Sequence, residues 1–160
     1  MSIAAPLLNA DLLSLAGVPN PLPLLGGAEV NFNRTGLREA DMRRPEQARR
    51  ISTACLGVWG LRELVDDTAL LLSELVTNAF VHGDGEVVRV RLYLTDQYVC
   101  LEVCDGSREA PQPQPVGHLD ENGRGLAIVD ALADAWGVAK DGASIWCTVL
   151  RNVDHPEGAR

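Results

Sequence analysis

Glu74, Asn78 and His82 recur at every fourth residue of the segment SELVTNAFVHG, Ser73 to Gly83. In a helix that spacing stacks the three side chains on one face. A carboxylate, an amide oxygen and an imidazole in one line suit a hard cation beside a reacting oxygen: the carboxylate can take up a proton, and the amide oxygen can ligate Mg²⁺. The residues around them (Leu70, Leu71, Leu72, Leu75, Val76, Ala79 and Phe80) read as core. One polar residue in such company reads as a satisfied group at the core edge. Three in register weaken that reading, because every buried polar group must find a partner.

Two further segments carry site chemistry. Asp105, in VCDGS, ends a strand and faces a glycine-containing turn. A carboxylate there is placed to bind ligand, although Asp-Gly is also an ordinary turn pair. In ENGRGLAIVDALAD, Gly123 and Gly125 flank Arg124 immediately before a predicted helix. Glycine lets backbone amides approach a phosphate and a helix N-terminus favours anions; the plainer reading is a flexible helix entry. No Gly-Lys-Ser/Thr follows, so this is not a P-loop, and the G-x-G-x-x-G fingerprint is absent. The proline-rich loop ahead of it, Arg108 to Asn122, reads as a lid. His118, His155, Ser107 and Ser144 have no partners at ligand or triad spacing. Trp59, Trp136 and Trp146 read as packing at the core or its rim.

Several elements must position these residues. Residues 1–27 form a Leu-, Pro- and Gly-rich extension in which Pro19, Pro21 and Pro23 forbid a continuous helix. It reads as a flexible or draped segment, apolar enough for a partner or dimer contact. The domain proper is expected over residues 28–152, with a tail at 153–160. AEVNFNR alternates as a first strand. Pro45 to Trp59 is predicted helical, with Ala48, Ile51, Ala54, Cys55 and Val58 on one side and Gly60 as its stop. Asp66 or Asp67 is placed to cap the helix that carries Glu74. VVRVRLYL and YVCLEVCD follow as a hairpin, GLAIVDALADAW as a third helix opening on the glycines, and VAKDGASIWCTVLR as a turn and last strand. This order implies a two-layer α/β sandwich: a mixed, mostly antiparallel sheet with three helices on one face.

A chain of 160 residues with 46% hydrophobic content is long and apolar enough for one compact domain. The net charge of −8 argues against nucleic acid as main partner. The local cluster RRPEQARR reads as a solvated helix face. Cys55, Cys100, Cys104 and Cys147 show no zinc spacing and read as free thiols, with Cys100 and Cys104 on one strand face. No stretch is long and apolar enough to span a membrane and no secretory signal starts the chain, so a cytoplasmic location is expected.

Taken in order, ELVTNAFVHG, DGS and GRGLAIV resemble the N box and the two glycine boxes of the GHKL ATPase superfamily. The resemblance spans about Leu37 to Val149 and is nearest to the anti-sigma-factor serine kinases. It implies the Bergerat-type ATP-binding fold and the cofactors ATP and Mg²⁺. Glu74 is then the general base that activates the attacking hydroxyl, and Asn78 coordinates Mg²⁺ bridging the ATP phosphates. Asp105 would hydrogen-bond the adenine amino group, with Gly106 and Ser107 completing the first box. Gly123, Arg124, Gly125 and Leu126 would offer backbone amides to the phosphates. His82 is ligand-adjacent or structural.

The implied activity is phosphorylation of a serine on a STAS-domain anti-anti-sigma factor, combined with binding of a sigma factor. Homodimers are expected on the same ground. The first box reads Asp105-Gly106-Ser107-Arg108-Glu109, with serine where the D-x-G-x-G form has glycine. That departure, with the N-terminal extension, motivates a second reading: a nucleotide-independent module that sequesters the sigma factor or its antagonist without chemistry. A detached histidine-kinase ATPase domain is a third. It is disfavoured because the chain has no helical dimerisation segment carrying a phosphoacceptor histidine.

Overall fold

The computed structural model describes residues 25–106, 121–139 and 142–152. The extension before residue 25, the lid residues 108–120 with His118, the first-box Ser107, Lys140, and the tail from residue 153 with His155 lie outside the described residues.

Five strands form one sheet: β1 Gly26–Asn33, β2 Val87–Leu94, β3 Tyr98–Cys104, β4 Ala135–Val138 and β5 Ser144–Leu150, in spatial order β1-β2-β3-β5-β4. Every pairing is antiparallel, so the sheet is not mixed. The helices are a single turn α1 Arg38–Asp41, then α2 Arg44–Val58, α3 Val65–His82 and α4 Glu121–Leu132, with a 3₁₀ turn at Arg62–Leu64 ahead of α3. The α+β two-layer sandwich expected from the sequence is therefore what the chain forms.

Register decides which strand residues meet the helices. Val90 lies opposite Val103, Leu92 opposite Leu101, and Leu101 opposite Cys147, so alternate residues of three strands share one face. These side chains make one core with Leu71, Leu72, Leu75, Val76, Ala79 and Phe80 of α3. Each fully buried Leu or Val of this set contributes about 1.5–3 kcal/mol by leaving water. That burial, not helix propensity, holds α3 in place.

Four local expectations are corrected. The buried line of α2 is Ala48, Ser52 and Leu56, with Ile51 and Cys55 only half-buried; Ala54 is exposed and Val58 is 85% exposed. Helix α2 packs mainly on α3, and small residues at 48 and 52 permit that approach. Asp66 and Asp67 do not cap α3; Leu64 holds the cap position, and the two carboxylates lie in the first turn, where the helix dipole favours them. Helix α4 begins at Glu121, ahead of the glycines rather than after them. It ends at Leu132 instead of running to Trp136, because the Asp134 amide donates to the Thr148 carbonyl (2.9 Å) and the Asp134 carboxylate accepts from the Leu150 amide. The next residues are thereby drawn into β4 beside β5.

The C-terminal end of α3 is held by a residue from across the fold. Gly83, which follows α3, has an extended backbone and makes no left-handed cap. Arg34, just beyond β1, donates to the carbonyls of Phe80 (2.7 Å), Ala79 (3.0 Å) and Gly85 (2.8 Å). Its guanidinium lies 5.1 Å from the Phe80 ring centroid. A cation there also suits the negative end of the helix dipole. Arg34→Ala is expected to destabilise the fold by on the order of 2–3 kcal/mol, read as a lower urea midpoint. Arg34→Lys should recover less than half of that loss, since an ammonium cannot serve three divergent carbonyls from one plane.

Candidate functional site

The face of α3 that carries Glu74, Asn78 and His82 turns away from the sheet core and toward α4. Between the two helices lies a cleft of about 110 Å³, lined by Glu74, Leu75, Thr77, Asn78, Val81 and His82 from α3 and by Gly125, Leu126 and Val129 from α4. Leu75 and Val129 are buried and give the cleft an apolar floor. Glu74 and Asn78 are half-buried on its wall, and His82 is exposed. Among the described residues, none of these three side chains is engaged in a hydrogen bond or ion pair. Other polar groups of α3 turn back on the helix: Ser73 Oγ donates to the Leu70 carbonyl (2.9 Å), and Thr77 Oγ1 donates to the Ser73 carbonyl (2.7 Å). The stripe therefore presents its carboxylate, amide and imidazole to the cleft.

Gly125 sits directly against the acidic end of the stripe. A β-carbon there would lie 2.9 Å from Glu74 Oε2, closer than real side chains pack. The glycine lets α4 approach the carboxylate without displacing it. Gly123 and Arg124 lie in the first turns of α4, and Leu126 follows as a cleft-lining residue. The α4 residues that line the cleft are Gly125, Leu126 and Val129.

Asp105 stands at the end of β3, at the His82 end of α3, and is not among the cleft-lining residues. Its amide donates to the Ala143 carbonyl at 3.0 Å, which fixes the strand end against the β4–β5 turn. The loop after α3 crosses it at close range. A β-carbon on Gly83 would be 2.6 Å from Asp105 Cβ, and one on Gly85 would overlap the Asp105 carbonyl oxygen. Gly106 takes a positive φ of 72° under the same loop. The GDG of residues 83–85 and the DG of residues 105–106 thus form one tightly nested corner.

The sequence reading reached Glu74, Asn78, His82, Gly125 and Leu126, and the fold gathers all five at one cleft. It reached Asp105 and Gly106 as well, one helix end away. It missed Leu75, Thr77, Val81 and Val129 as lining residues: Leu75 reads as core, and no motif marks the other three. It also missed Arg34 as the clamp on α3, for which an isolated arginine after a strand gives no signal. Gly83 and Gly85 could have been found: two glycines bracketing one residue after a helix imply a close approach.

Two comparisons bear on this arrangement. A relative from Streptomyces coelicolor, an uncharacterised protein, is 39% identical over 75 residues, which cover 44% of this chain and 71% of that one. The family model for the histidine kinase-like ATPase domain matches residues 39–149. That span begins in α1 and ends in β5, so it includes the polar wall of α3, the Asp105 corner and all of α4. With most of its length matched and its cleft inside the matched region, the chain belongs to the histidine kinase-like ATPase domain family.

Proposed function

We propose that this domain binds ATP with Mg²⁺, acts as a serine protein kinase on a STAS-domain anti-anti-sigma factor, and binds a sigma factor through another surface. The observation that carries the reading is the uncommitted pair Glu74 and Asn78 on the wall of the cleft between α3 and α4. These groups fit the nucleotide. Among the described residues no three His, Cys, Asp or Glu side chains converge on one point. A Mg²⁺ ion held at the Asn78 amide oxygen would take its other oxygens from phosphate and water, as this ion commonly does.

ATP supplies the phosphoryl group, and Mg²⁺ offsets its charge. The protein's share is positioning and proton handling. Glu74 accepts the proton of the partner's serine hydroxyl as that oxygen attacks. Backbone amides at Gly123, Arg124, Gly125 and Leu126 would receive phosphate oxygens, and Gly125 leaves Glu74 its place beside them. Asp105, at the far end of α3, would accept from the adenine amino group. Phosphorylation adds about −1.5 to −2 charge to the antagonist, enough to dismantle a desolvated interface and exchange partners.

One observation favours a second reading. The cleft of about 110 Å³ is smaller than the roughly 300–1,000 Å³ of ordinary ligand pockets, and the first glycine box has Ser107 in place of glycine. A module that sequesters a sigma factor or its antagonist without nucleotide is consistent with both. Calorimetry with ATP·Mg²⁺ separates the two: heat of binding is expected for the kinase, and its absence at millimolar nucleotide favours the module.

Two expected outcomes follow. Glu74→Gln should lower transfer of labelled γ-phosphate to a STAS-type partner by roughly 10²–10⁴-fold, the range for loss of a general base, while ATP affinity changes little. Retained transfer in that variant would remove Glu74 from the chemistry. Gly125→Val should depress kcat more than it weakens ATP binding, because its side chain would occupy the place of the Glu74 carboxylate. The check is steady-state kinetics beside calorimetry on the same sample.

A further inference from the structure

Arg34 reaches further than the end of α3. Two of its guanidinium nitrogens donate to the carbonyls of Phe80 and Ala79 in the last turn of the helix, while Nε donates to the Gly85 carbonyl in the loop that follows (2.8 Å). Its backbone amide donates to the Glu86 carbonyl of the same loop (2.8 Å). The Ala79 carbonyl is shared, since the Gly83 amide also donates to it (2.9 Å). One residue therefore fixes both where the chain leaves α3 and where it arrives at β2. The rigid fork of N–H donors on a guanidinium suits that task, and the single point charge of an ammonium does not. Arg34 is itself held from behind: the Thr35 amide and hydroxyl donate to Asp41 Oδ1 (3.0 and 2.8 Å), and Asp41 is buried on α1.

The loop so tied is a wall of the space around the Asp105 side chain. A β-carbon on Gly83 would lie 3.0 Å from the carboxyl carbon of Asp105, and one on Gly106 would lie 2.7 Å from the Val87 carbonyl oxygen. A carboxylate packed this closely takes the direction that its wall leaves open. The wall runs Gly83-Asp84-Gly85, and two glycines in three residues give it little stiffness of its own. Its position comes from hydrogen bonds, and Arg34 supplies two of them. We propose that Arg34 is a positioning residue for base recognition: by tying residues 83–86 to the end of α3 it aims the Asp105 carboxylate, and so sets the preference of the site for a base that presents an amino group. This rests on the reading of Asp105 as the acceptor of the adenine amino group. Arg34 acts through Asp105 and touches no nucleotide.

The test is calorimetry on the full chain with ATP and with purine riboside triphosphate, which has hydrogen in place of the amino group, each with Mg²⁺. The unaltered chain should bind ATP at least about tenfold more tightly, the scale of one hydrogen bond to a charged group. Arg34→Lys keeps a cation for the carbonyls of Phe80 and Ala79 but loses the bond from Nε to Gly85. It should bring that ratio at least about fivefold closer to one, while affinity for purine riboside triphosphate changes less than about threefold. Asp41→Asn, which loosens the same clamp from behind, should shift the ratio in the same direction and decides the matter where Arg34→Lys does not fold. Val149→Ala controls for lost stability: Val149 is a core residue paired with Val99, at the far end of β3 from Asp105, and its loss should leave the ratio unchanged. A ratio that survives in the clamp variants, or equal weakening of both nucleotides, makes the clamp purely structural and overturns the proposal. So does a fall of the same size in Val149→Ala. An unaltered chain that binds both nucleotides equally overturns it with nucleotide binding intact, whereas one that binds neither removes the kinase reading as well.

Discussion

The rest of the structure depends on one helix being held by one side while it works with the other. Leu71, Leu72, Leu75 and Val76 are removed from water against the strands, and their burial fixes the rotation of α3 about its axis. Once that rotation is set, Glu74, Asn78 and His82 have one direction left to face. The polar wall is therefore a by-product of core packing, and its precision is inherited from the close-packed interior behind it. Arg34 adds a second fixed point at the C-terminal end, so α3 can neither roll nor fray near Asp105.

The cleft is then shaped by close approaches. At one end Gly125 lets α4 come up to Glu74, and at the other Gly83 and Gly85 let the loop after α3 nest on Asp105. Two segments far apart in sequence are joined to α3 where a side chain has been left out. At residue 125 the glycine admits an acidic group, and at residues 83 and 85 it admits the Asp105 corner.

Much of this was legible in the sequence, and the exceptions have physical causes. The four-residue recurrence in α3 survived because apolar and polar faces of that helix are both strong. The strand pair Val87–Leu94 and Tyr98–Cys104 was legible for a related reason: alternation with a short turn leaves one register. The buried side of α2 was not legible, because Ala48 and Ser52 are weakly apolar and their role is to let α3 come close. The end of α4 was hidden because Ala131, Ala133 and Ala135 all favour helix, and only the pull of β5, supplied from far along the chain, turns the last of them into a strand. The far face of the sheet was hard to read because Tyr93 and Thr148 alternate with the core residues as the exposed half of an amphipathic strand would, although they are buried.

The glycines at the cleft have a consequence for how far this domain can be stabilised. Each glycine carries more backbone entropy in the unfolded chain than any other residue, about 0.5–1 kcal/mol relative to alanine. Ordinarily such positions are where a protein gains heat tolerance by substitution. At residues 83 and 85 that route is closed, because a single methyl group would collide with Asp105 and the backbone around it, and at residue 125 it would displace the Glu74 carboxylate. The candidate cleft and the Asp105 corner are thus the region that must stay entropically expensive. Gains in thermostability have to come from the exposed side of α2 or from the sheet edges, leaving a trade-off between stability and activity concentrated in three residues.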